Sequence, residues 1–135
     1  MSKTKVEVTN KTRGETEAEI SEALIKFERE YMGRGPEEAR TYIIDDLVIV
    51  RLRGVLTPAE KHLVKSEAAG HGRSLIKEVR MELLEKARPL LEVLIKDITG
   101  QNIKSLHTDI STVTGERIIV FSLVGTLAFL GATPS

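Results

Sequence analysis

The sequence predicts an α+β domain: a two-layer sandwich with a four-stranded, mainly antiparallel sheet and helices on one face. Apolar residues recur at helical spacing in three stretches, and β-branched residues cluster in two others, each folded over a turn signal. These segments follow one another in the order α-β-β-α-α-β-β. The length of 135 residues suits one domain. At 41% hydrophobic and 30% charged residues, the chain has enough apolar side chain to bury a core.

Residues 1–15 are polar and slightly basic, with Lys3, Lys5, Lys11 and Arg13 against Glu7 and Glu15. They are expected to form a frayed arm ahead of a domain spanning 16–124. A docked strand using Val6 and Val8 is one alternative, and an arm for nucleic acid or lipid headgroups is another. Ile20, Leu24, Phe27 and Tyr31 then mark one face of a helix over 16–31. Gly33 should cap it, and Pro36 prevents its continuation.

Residues 41–54 read as a hairpin turning at Asp45-Asp46. Val48, Val50 and Leu52 share one face of the return strand; Leu47, Ile49, Arg51 and Arg53 share the other. Thr57-Pro-Ala-Glu60 has the pattern of a capping box with proline at the first helical position. It predicts a helix from Pro58 to about Ala69, broken by Gly70 and Gly72. A longer helix should run from Arg73 to Thr99 on a stripe of Leu75, Ile76, Val79, Leu83, Ala87, Leu90, Leu91, Leu94, Ile95 and Ile98. Pro89 inside that stripe predicts a kink or break near Arg88. A second hairpin pairs 102–111 with 116–124 across Thr114-Gly115, and 125–135 remain as a tail.

Composition narrows the function. Twenty basic and twenty acidic residues cancel, which weighs against a nucleic-acid binder. No cysteine is present, so thiolate catalysis, disulfides and cysteine metal sites are absent. No apolar run reaches the roughly 18–20 residues of a membrane span. The start lacks an apolar signal core, so a cytoplasmic location is expected. The three histidines, His62, His71 and His107, form no metal-binding spacing, and no dinucleotide or phosphate-loop fingerprint occurs. No metal and no cofactor are expected, and these absences weigh against an enzyme.

Candidate binding residues fall in three places. The loop Tyr31-Met-Gly33-Arg34-Gly35-Pro36 turns sharply and is expected to present an exposed Arg34 and backbone amides to a small ligand. Arg51 and Arg53 share a mixed strand face suited to a partner. The other arginines, including Arg80, Arg88 and Arg117, are expected to be solvated or paired with glutamates. Ser105, His107, Asp109 and Ser111 fall on one strand face. A hydrolase centred on His107 and Asp109 is one reading. Same-face neighbours stand about 7 Å apart along a strand, which is poor reach for a relay. A solvated face or an interface seam is the alternative.

Ile20 to Glu30, Tyr31-Met-Gly-Arg-Gly-Pro, Val50-Arg-Leu-Arg-Gly-Val-Leu-Thr-Pro-Ala-Glu, Ala87-Arg-Pro-Leu and Leu106-His-Thr-Asp-Ile-Ser together resemble a bacterial family. That family is named for the C component of a sodium-translocating, membrane-potential-generating system. The resemblance runs from about residue 16 to 124. It implies a non-enzymatic accessory or regulatory subunit associated with membrane transport subunits that move cations or inorganic carbon, held peripheral to the inner membrane through a partner. It supplies no catalytic residues. Both return strands are apolar on both faces, so helices can cover only one set, and a homodimer is expected to cover the other. The tail Leu127-Ala-Phe-Leu130 is the competing cover.

Overall fold

The computed structural model describes residues 6–8, 10–65 and 69–131. The elements are β1 (Val6–Val8), α1 (Arg13–Tyr31), β2 (Glu38–Ile44), β3 (Leu47–Arg53), α2 (Pro58–Lys65), α3 (Ala69–Thr99), β4 (Ile103–Ile110), β5 (Arg117–Leu123) and β6 (Thr126–Ala128). The main sheet has the order β2-β3-β5-β4, antiparallel throughout, and β1 pairs in parallel with β6. The expected α+β class and order hold.

α1 begins at Arg13, before the expected start at 16, because Thr12 completes a capping box with Glu15. Ahead of that helix, β1 meets the tail, with Val6 opposite Thr126 and Val8 opposite Ala128. Leu130 N–H also donates to the Lys11 carbonyl at 2.9 Å. Gly33 follows the last turn of α1 at φ 87°, the left-handed conformation its cap requires.

β2 starts at Glu38 instead of 41, since Glu38, Ala39 and Arg40 pair with Arg53, Leu52 and Arg51. The turn between β2 and β3 is Asp45-Asp46, and Asp45 takes φ 54°, which a short polar side chain tolerates. Val48, Val50 and Leu52 of β3 and Ile119, Phe121 and Leu123 of β5 are buried beneath the helices. Ile20, Leu24 and Phe27 of α1 and Leu84, Leu91 and Ile95 of α3 close the core over them.

The helical middle departs from expectation. α2 stops at Lys65, and residues 66–68 lie outside the described residues. Gly70 and Gly72 do not break a helix; both lie inside the first turns of α3. Gly72 is buried where α3 crosses α2, and an added Cβ would collide with the Leu63 carbonyl oxygen. α3 also runs unbroken through Pro89, whose missing N–H forfeits one intrahelical bond out of a long ladder. The buried stripe of α3 is Ile76, Arg80, Leu84, Ala87, Leu91 and Ile95. Leu75, Val79 and Leu83, expected in the core, are 39%, 47% and 40% exposed. The stripe is rotated by one residue, because Arg80 turns inward to meet carboxylates from α1 and α2.

Candidate functional site

Two polar constellations stand out, one inside the sandwich and one at the end of the sheet. The inner one is built on Glu28, which sits on the apolar stripe of α1 and is fully buried. Arg80 of α3 and Arg117 of β5 approach its two oxygens at 3.5 and 3.6 Å. Both arginines are 2% exposed and paired with glutamates, the second of the two expected arrangements, here inside the core. Arg80 is fixed further by two bonds to Glu60, at 2.7 and 2.9 Å, and by one to the Val55 carbonyl at 2.9 Å. Arg117 donates to Thr108 Oγ1 at 3.2 Å. Glu60 thus belongs both to this cluster and to the cap of α2, where its N–H and carboxylate exchange bonds with Thr57.

Desolvation pushes the Glu28 carboxyl up, against the pull of Arg117 and Arg80. Burial also works against Glu60, yet the Arg80 and Thr57 hydrogen bonds hold its carboxyl below the usual range. Two carboxylates and two guanidiniums balance here, so the cluster ties α1, α2, α3 and β5 together without a net buried charge. Periodicity alone carried the signal: Glu28 follows Leu24 by four, Arg80 lies four from Ile76 and from Leu84, and Arg117 alternates with Ile119 and Phe121.

The outer constellation is a cleft of about 670 Å³ at the end of the sheet farthest from the Asp45-Asp46 turn. Arg51 and Arg53 of β3, Lys61, Val64 and Lys65 of α2, and Thr112 and Glu116 of the β4–β5 connection line it. Arg51 pairs with Glu116, which raises the arginine's affinity for its proton. Arg53 lies 3.3 Å from Glu38 and 3.9 Å from Glu116. Positive side chains from a strand and a helix thus converge with a turn hydroxyl, which gives the cleft the chemistry of an anion receptor. Lys61, Lys65 and Thr112 escaped sequence reasoning because they are distant in the chain and match no motif.

The other expected site residues lie elsewhere. Tyr31 stacks on Phe27 with ring centroids 5.2 Å apart. Gly33 and Gly35 turn the chain, and an added Cβ on Gly35 would approach the Arg29 guanidinium. Arg34 is not freely exposed as expected: its side chain is 32% exposed and donates to Glu37 at 3.1 Å. A neighbouring carboxylate holds it down, and the Gly33–Pro36 loop contributes no residue to the cleft. His107 is exposed on β4 opposite Val120, and Asp109 stands opposite Ile118. Asp109 accepts from the Ile110 N–H at 2.8 Å and pairs with Lys77 at 3.3 Å, in that order the causes that keep its carboxyl below the usual range. It makes no hydrogen bond to His107 among the described residues. Among those residues, no group of three or more His, Cys, Asp or Glu side chains is placed to hold a metal.

The profile of a family described as "Na+-translocating membrane potential-generating system (MpsC)" matches residues 12–124. The Bacillus subtilis (strain 168) protein YbcI, itself described as uncharacterised, is 43% identical over 117 residues, covering 87% of this chain and 92% of the relative. No solved structure matches.

Proposed function

This chain belongs to the MpsC family, and on that premise we propose that it is a non-enzymatic accessory subunit of a membrane ion-translocating system. The observation that carries the reading is the family match over most of a chain in which no described helix is long and apolar enough to cross a membrane. Moving an ion across a bilayer needs a spanning path. In this proposal another chain supplies the path, and this one acts on it from the membrane surface.

The working unit is proposed to be a homodimer formed by the uncovered sheet face. Register places Ile44 beside Leu47, and Tyr42, Ile49 and Val120 in one row, on the face opposite the helices. Ile44 and Tyr42 are 54% and 40% exposed. Glu38, Arg40 and Arg53 rim this apolar strip with both signs of charge. A two-fold axis can set each sign against its opposite, as an isologous interface requires.

Native extraction in mild detergent, with a tagged copy of this chain in its own host, tests the subunit reading. Co-purification of a polytopic membrane protein in fixed ratio is the expected result. Recovery of the chain free of any membrane protein overturns it.

A further inference from the structure

We propose that the cleft at the end of the sheet binds a small, soluble dianion of the phosphate-monoester class. This does not rest on the accessory-subunit reading. The cleft volume of about 670 Å³ falls within the roughly 300–1,000 Å³ usual for small-molecule sites.

Charge selects an anion. Arg51, Arg53, Lys61 and Lys65 face Glu37 and Glu116 in the lining, so four cations against two carboxylates leave an excess of two positive charges. Both carboxylates are already engaged, Glu116 with Arg51 and Glu37 with Arg34 at 3.1 Å. Lys61 and Lys65 lie one turn apart on α2, line the same cleft, and enter no ion pair among the described residues.

A hydroxyl supports the same assignment. Thr112 lines the cleft and is 8% exposed. Its neighbours Ser111 and Thr114 each accept a backbone hydrogen bond, whereas the Thr112 hydroxyl makes none among the described residues. The hydroxyl oxygen keeps contact with solvent in the cleft, so a ligand oxygen can take the place of water as its partner. A phosphate monoester carries about 1.5 to 2 negative charges near neutral pH and three strong acceptor oxygens. Two ammonium groups and one hydroxyl match that set, whereas a single carboxylate neutralises only one lysine. Leu56 and Val64 supply an apolar wall for the carbon skeleton of the ester.

The test is titration of the full chain with glycerol 3-phosphate at low ionic strength, followed by calorimetry and amide chemical shifts. One-to-one saturable binding is expected, with shifts concentrated in residues 54–56, 61–65 and 112–116. Lys61→Gln with Lys65→Gln should weaken binding about tenfold or more, since two charge-assisted contacts are lost. Both lysines are exposed, so the thermal melt should not move. Thr112→Val keeps the side-chain shape and should weaken binding severalfold. Absence of saturable binding up to about 10 mM, a Kd regime below any specific site, overturns the proposal. So does an unchanged affinity in the lysine double variant. Binding to vesicles containing phosphatidic acid without binding to glycerol 3-phosphate overturns the soluble assignment and moves the site to a lipid headgroup.

Discussion

Glu28 shows how much a single side chain can organise. It holds two buried guanidiniums on either side of the core, at 3.5 and 3.6 Å. Glu28→Gln preserves the shape but leaves Arg80 and Arg117 short of a counter-charge. Arg80 keeps Glu60, Arg117 keeps Thr108, and the amide escapes the desolvation that pushes the Glu28 carboxyl up, so urea denaturation should show a fall smaller than the ~3–5 kcal/mol of an uncompensated buried pair. Thr57→Ala removes one side of the α2 cap and should cost about 1 kcal/mol in the same measurement. Acid acts through Glu60. Its folded pKa is lowered, so the unfolded chain binds more protons between the two values, and stability is lost as pH falls through the folded pKa. Glu28, with a raised pKa, acts in the opposite sense: its contribution is lost as pH rises from the ordinary carboxylate value through the raised one. Glu60→Gln should therefore flatten the acid limb of a stability–pH profile and leave the limb governed by Glu28. An unchanged acid limb would mean that other carboxylates control it.

At the scale of elements, α3 makes the sharpest case. Its first turns carry two glycines with opposite surroundings. An added Cβ meets nothing within 4 Å at Gly70, but meets the Leu63 carbonyl carbon at 2.9 Å, and its oxygen closer still, at Gly72. Gly70→Ala should stabilise the domain by up to about 1 kcal/mol through helix propensity. Gly72→Ala gains the same propensity and should nonetheless lower the melting temperature, because backbone cannot yield as a flexible side chain does. If both variants stabilise, α2 and α3 do not cross at Gly72. The same crossing explains why Leu75, Val79 and Leu83 are left outside. α3 is oriented by the salt-bridged Arg80 and by Leu84 and Leu91 over the sheet, so the apolar residues one position away face outward.

The whole molecule is a sandwich filled on one side and open on the other. The tail was the rival cover for the open face, yet Phe129 packs into the core cluster near α1, with the Arg13 guanidinium 5.5 Å from its ring centroid. A second copy of the chain accounts for the open face in the proposed dimer. Light scattering at micromolar concentration should give a dimer mass, and Ile44→Glu should convert it to monomer without loss of secondary structure. Val79→Glu, on the exposed stripe of α3, serves as the control and should leave the dimer intact. A monomer mass for the parent chain, or dissociation by Val79→Glu alone, rules out the sheet face as the interface.

Local pattern determined the elements. Period two in Val48, Val50 and Leu52 and helical spacing in Ile20, Leu24 and Phe27 named the buried faces, because alternation and pitch are properties of neighbours in the chain. The capping box at Thr57 and the turn at Asp45-Asp46 were legible for the same reason. Tertiary structure decided what depends on residues far apart. Gly72 reads as a breaker until α2 is seen lying against it. Arg80 and Arg117 read as solvated or paired with glutamates, and only the fold brings Glu28 and Glu60 from other helices to meet them inside the core. The cleft unites β3, α2 and the β4–β5 connection, whose lining side chains share no motif and no period. Electrostatics and shape act through space, so a site assembled from separate elements has no signature along the chain.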